Sequence, residues 1–286
     1  MSETPDEGTR PATAVDVSGE DIHWQQDISY GAYLKLDNLL ACQTPLSDKH
    51  DEMLFVVIHQ ASELWMKACL HELRAAMAHL KDDNLGPVFK MLSRVAKIQA
   101  NLQQSWEILS TMTPADYAAF RDDLGQSSGF QSFQYREIEY SLGNKSARMA
   151  EAHKSVPARY ERLQNVLNAP SFYDLCLQLL ARRGFDIPAD KLKRDWRQPY
   201  EASEGVERAW LEVYRDTKKH WDLYELAEKL VDLEHHFHLW RFAHMKTVER
   251  IIGYKKGTGG TGGVSYLVKA LDLRFFPELW TVRTSL

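Results

Sequence analysis

Six of the fifteen glycines in this 286-residue chain fall in one stretch, between Gly253 and Gly263. With ten prolines besides, the rest of the chain is poor in turn formers, which favours long helices over many short strands. Apolar periodicity agrees. A helix is expected over 48–81, free of Gly and Pro, capped by Ser47, and apolar nearly all round from Met53 to Ile58. A second, over 87–112, carries the stripe Val88, Met91, Val95, Ile98, Leu102, Trp106, Leu109. The longest is expected over 217–252, with Leu223, Leu226, Leu230, Leu233, Phe237 and Trp240 on one face, then Val248 and Ile251. Its steps are of three or four residues except for one gap, and His244 fills that gap.

Shorter helices are expected over 30–40, 133–141, 157–168, 171–183, 203–216 and 264–271. Thr113-Pro-Ala-Asp116 reads as a capping box with Pro at the first helical position, opening a helix that stops at Gly125. Residues 125–132 are expected as a loop and 185–200 as a surface excursion. No hairpin signal occurs. The class is all-α: a bundle of long core helices with a short N-terminal arm. Residues 21–286 form one domain behind a polar, acidic tail at 1–20 that is expected to be disordered, with order beginning near Trp24.

Composition excludes several functions. A net charge of −5 with no basic block argues against nucleic acid. No apolar run approaches a membrane span, and the N-terminus has no secretory apolar core. Cys42, Cys69 and Cys176 lie far apart with no CxxC, which argues against a thiolate zinc site or a disulfide framework and suits a reducing, cytoplasmic setting.

Four features could carry chemistry. His244 occupies a core slot where Leu or Val would pack better, so its nitrogens need partners: a carbonyl in an ordinary core, or a metal or haem iron. His59 lies on another apolar face, with Phe55 one turn before it and Glu63 one turn after. Two such histidines could flank a planar cofactor or be unrelated core residues. Tyr117 and Arg121 share a helix face, and the Arg fork suits a carboxylate, though an exposed Arg is commonly just solvated. The glycine-rich stretch lacks the P-loop order of residues and reads as a flexible linker or as a mobile lid over a pocket. The cluster Glu234-His-His-Phe-His238 has no matching carboxylate–histidine pair on another ordered helix and reads as surface and packing.

Taken together, the motifs resemble one family. Tyr30-Gly-x-Tyr-Leu-x-Leu-Asp, His50-Asp-Glu-x-Leu-Phe-x-x-x-His-Gln-x-x-Glu-Leu-Trp65, Ser132-Phe-Gln-Tyr-Arg-Glu137, Trp240-Arg-Phe-x-His-x-x-x-Val-x-Arg250 and Gly257-Thr-Gly-Gly260 are similar, in that order, to the tryptophan 2,3-dioxygenases, over about residues 24–286. The resemblance implies an all-helical enzyme enclosing haem b, one per subunit and ferrous when active. It would add both atoms of O2 across the indole C2=C3 bond of L-tryptophan to give N-formyl-L-kynurenine, the first step of the kynurenine pathway. It implies His244 as the proximal iron ligand and His59 as the distal residue that hydrogen-bonds the indole N–H. Arg121, with Tyr117 beside it, would take the substrate carboxylate, Thr258 the ammonium and carboxylate, and Phe55 the indole. It further implies a homotetramer, a dimer of dimers, in which Tyr30 and Tyr33 reach into a neighbouring subunit.

Overall fold

The computed structural model describes residues 18–21, 29–260 and 262–286, and among these no strand occurs. Trp24 and nearly all of the expected tail lie outside the described residues. The chain divides into two units, an arm ending at Gln43 and a body from Thr44 to Leu286. In the arm, the single helix expected over 30–40 is two one-turn helices, α1 (Tyr30–Leu34) and α2 (Leu36–Leu40). Lys35 breaks them by turning left-handed, at φ 52°. Neither helix buries a residue.

The body rests on three long helices, α3 (His50–Lys81), α4 (Leu85–Leu109) and α12 (Trp221–Ile252). α4 packs along both α3 and α12. α3 opens at His50 because Ser47 is not its cap. The Glu52 carboxylate reaches back to accept from the amides of Leu46 (2.6 Å) and Ser47 (2.8 Å) and from the Ser47 hydroxyl. The interior of all three is aliphatic: Leu70, Leu73, Leu80, Val88, Leu92, Val95, Leu226, Leu230 and Leu233 are buried.

Between them lie α5 (Pro114–Phe120), α6 (Phe133–Leu142), α7 (Ala147–Ala150), α8 (Pro157–Leu167), α9 (Phe172–Arg182), α10 (Ala189–Leu192) and α11 (Glu204–Arg215). α13 (Val264–Leu271) and α14 (Pro277–Thr281) follow the glycine stretch. The Thr113–Asp116 capping box forms as expected, and α9 has a second one, Ser171 with Asp174. Segment 185–200 is not a free excursion. Phe185 and Ile187 are buried, and Arg194 grips the buried Asp174 through Nε (2.7 Å) and Nη2 (2.9 Å).

α6 is buried along most of its length, charged residues included. Glu137 pairs with Arg74 of α3 and, at 2.7 Å, with Arg162 of α8. Glu139 pairs with Arg136 and, at 3.1 Å, with Arg241 of α12. Lys145 donates to the carbonyls of Val166 (2.6 Å), Leu167 (3.3 Å) and Ala169 (2.9 Å), closing the C-terminus of α8. Leu73 lies wholly inside the α3–α4 packing. Leu73→Ala is expected to cost about 3 kcal/mol of unfolding free energy. Urea denaturation checks this, and a loss under about 1 kcal/mol would place Leu73 outside the core.

Candidate functional site

The site forms where the first turns of α3, the last turns of α4 and α12, and α5 come together. Ile58, Leu109, Met112 and Phe120 are its buried base, with Leu54, Phe55, Trp106, Tyr117 and Ile251 packed against them. Helical spacing puts Phe55 and His59 one turn apart on α3. Their rings meet at 4.2 Å, and Phe55 also meets Tyr117 at 5.9 Å and the edge of Phe120 at 5.7 Å.

The two histidines are brought into one region. His59 packs on Phe55 and His244 on Trp106, and Phe55 and Trp106 belong to the same apolar cluster. Burial pushes His244 down, to about 4, with His59 adding to the effect. Burial also lowers His59. Both rings are therefore neutral at pH 7. Protein surrounds each of them, yet each keeps some accessible ring surface. His59 Nδ1 lies 2.7 Å from the Phe55 carbonyl. A carbonyl only accepts, so Nδ1 carries the proton and Nε2 is left as an acceptor. No hydrogen bond to His244 is found among the described residues. Its ring instead stacks on Trp106 at 4.4 Å and 13°, with Trp240 at 5.6 Å.

Trp106 was legible in the sequence only as the last-but-one member of a core stripe, since its spacing is that of any packing aromatic. Its indole N–H is buried with no acceptor. A group with an apolar face and acidic edges, ligated by a neutral imidazole, suits this setting: an unpartnered His244, an aromatic wall and an N–H wanting an acceptor. The chemistry of these residues suits a haem.

Arg121 follows α5 directly, in a short 3-10 turn (Arg121–Leu124) that ends at Gly125 with φ 56°. Its Nη2 donates to the Lys256 carbonyl at 3.0 Å, and its charge lies near the Tyr117 hydroxyl. Its Nε is buried without an acceptor. The glycine stretch lies against this side. Thr258 donates its hydroxyl proton to the Ser127 carbonyl at 2.5 Å, and Gly259 passes so close to Ser128 that a Cβ would sit 2.7 Å from its Cβ and Oγ. The neck of the stretch is equally tight. Gly263 has φ 61°, and a Cβ there would meet the Lys255 carbonyl at 2.5 Å. Ser127, Ser128 and the Lys256 carbonyl are parts of the site that composition and spacing do not reveal, because they act through the backbone or through a neighbour's missing side chain.

Tyr30 and Tyr33 lie on α1 of the arm, each with 75% of its surface exposed. The Glu234–His238 cluster is part surface, with His235 exposed, and part packing, with Phe237 buried. Glu234 is fully buried and accepts from Trp280 Nε1 at 2.7 Å. Among the described residues no group of three or more His, Cys, Asp and Glu is placed to hold a metal ion, and no helix is long and apolar enough to cross a membrane.

Gly259→Val is expected to lift the stretch off Ser128. Lys255 and Lys256 then become more accessible, and tryptic cleavage after them should accelerate several-fold. An unchanged cleavage rate would show that the contact does not hold the stretch down.

The sequence profile of the family described as tryptophan 2,3-dioxygenase matches residues 18–170 and 211–286. A tryptophan 2,3-dioxygenase of Bacillus thuringiensis (strain Al Hakam) is 59% identical over 92% of this chain and 94% of its own. One from Polaromonas sp. (strain JS666) is 55% identical over 99% of this chain and 97% of its own. One from Cupriavidus necator is 56% identical over 94% and 91%.

Proposed function

The chain belongs to the tryptophan 2,3-dioxygenase family, and we propose that it oxidises L-tryptophan with O2 to N-formyl-L-kynurenine, opening the kynurenine pathway, on a haem b ligated by His244. The family is haem-dependent in general. The observation that carries the reading for this chain is His244 itself: a half-buried, neutral imidazole whose side chain has no hydrogen bond among the described residues, stacked on Trp106 with its unpaired indole N–H. A neutral ring has the lone pair that iron needs.

A haem held by His244 would supply the activation of O2 toward the indole C2=C3 bond. The chain's residues hold the substrate. His59, with Nδ1–H committed to the Phe55 carbonyl, offers Nε2 to the indole N–H. Its lowered basicity suits positioning rather than proton removal. Phe55, Tyr117 and Phe120 wall the ring and keep water out. Arg121 has Nε free to pair a carboxylate while Nη2 stays on Lys256. The Thr258 hydroxyl has spent its proton on Ser127, so its lone pairs face the substrate ammonium. With both ends of the amino acid fixed, the reacting bond is oriented without further conformational search.

Tyr30 and Tyr33 complete the site of a neighbouring subunit in a homotetramer, a dimer of dimers with exchanged arms. The exposure of both rings supports this, as does the absence of buried residues in α1 and α2. Residues 21–286 then act as one haem dioxygenase domain, consistent with a family match that begins at residue 18. The buried, unbridged thiols of Cys69 and Cys176 support a cytoplasmic setting.

His244→Ala is expected to lose most of its haem, read as loss of the Soret band with the helical circular dichroism intact. Full haem content in that variant would refute the ligand assignment. Arg121→Lys keeps the charge but not the fork, and KM for L-tryptophan should rise about tenfold or more with the haem spectrum unchanged. An unchanged KM would favour a helical haem protein without an amino-acid clamp.

A further inference from the structure

The glycine stretch has two roots. One is the end of α12 at Gly253. The other is Val264, buried at the start of α13, which packs back along α12. α13 leads directly into the segment Leu273–Trp280, and that segment is gripped by three side chains one helical turn apart on α12. Glu234 accepts from the amides of Phe275 (2.5 Å) and Phe276 (3.3 Å) and from the indole N–H of Trp280 (2.7 Å). His238 donates through Nε2 to the Leu273 carbonyl at 2.9 Å, and Arg241 Nη1 lies 3.4 Å from the same oxygen. Arg241 also stacks over Phe275, at 5.1 Å. A fully buried carboxylate that takes two backbone amides and an indole fixes its partners firmly, because releasing any of them leaves buried charge unmatched.

From this geometry we propose that Glu234 is a positioning residue for the substrate lid, anchoring the far end of α13 and so setting where Thr258 and Lys256 meet Ser127 and Arg121. The transmission is through rigid parts. α13 is a short helix. Its first turn touches the lid, since a Cβ on Gly262 would lie 2.6 Å from Ser265 Oγ. The lid's neck has backbone against backbone at Gly263 and Lys255, with no flexible side chain to absorb a shift. Tyr266 of α13 further meets Phe130, two residues beyond the Ser128 that the lid covers. Slack at Phe275 therefore becomes displacement at Thr258.

The proposal rests on the glycine stretch being the substrate lid, and the test separates the two. Glu234→Gln keeps the shape and replaces one acceptor oxygen with a donor. Hydrogen exchange of residues 255–263 and of 272–282 is followed in the haem-loaded full chain, together with KM, kcat and the Soret band. Exchange is expected to quicken about tenfold in both segments, and KM for L-tryptophan to rise about tenfold, with kcat and the Soret band within twofold of the parent. Faster exchange confined to 272–282, with lid protection and KM unchanged, would overturn the proposal and leave Glu234 as a fold anchor only. If Glu234→Gln does not fold, Trp280→Phe removes one donor while keeping the ring and the carboxylate, and about a threefold change of the same pattern is expected. If the parent protein does not turn over tryptophan, the functional reading fails, while the exchange pattern still decides whether the latch controls the stretch.

Discussion

The constraint on which the rest of the molecule depends is that a polar site is built inside the packing of long helices. A buried polar group without a partner costs about 1–3 kcal/mol, and several buried charges of this chain avoid that cost. Lys145 has three carbonyls. Glu278 has the hydroxyls of Tyr173 and Tyr200 and the amide of Ser203. At the junction of α3, α4, α5 and α12 the cost is left standing. His244 has no hydrogen bond among the described residues, and the N–H of Trp106 and the Nε of Arg121 have no acceptor. Unpaired buried atoms occur outside this region as well, at Gln99, Arg136, His153, His220, His236 and Arg241. What sets the junction apart is that two neutral imidazoles, an aromatic wall and the unpaired donors share one place. On the proposed function, the bound ligand repays that cost.

The sequence made the three long helices legible because each carries its own evidence: a stripe at helical spacing and freedom from Gly and Pro. His244 was visible for the same reason, as a polar residue in a slot the stripe reserves for Leu. The ends of helices were less legible, since they depend on contacts that spacing does not encode. Ser47 reads as a cap, yet the Glu52 carboxylate claims it, and Lys35 splits a continuous amphipathic pattern by adopting a left-handed backbone. Glu234 shows the deeper limit. Within a run of histidines it looks like part of a solvated or metal-binding cluster. Its burial follows from a C-terminal segment more than forty residues later in the chain. Long-range partners of that kind leave no periodic trace.

The motif Ser132–Glu137 illustrates how a family signature can serve the site without entering it. None of its side chains reaches His59 or His244. Gln134 instead donates to the Glu63 carbonyl (2.8 Å) and carboxylate (2.7 Å) on α3, one turn after His59. Glu137 holds Arg74 on the same helix. Glu139, two residues further on, holds Arg241 on α12, one turn before His244. α6 is therefore a brace between the two histidine helices, tied to each within a turn of the imidazole it carries. Buried ion pairs are weak sources of net stability, but their geometry tolerates little displacement before charge is left unmatched. Hydrophobic packing alone would let α3 and α12 slide or rotate by small amounts at little cost. The ionic brace removes that freedom, and it does so at the place where a shift would change the separation of His59 from His244.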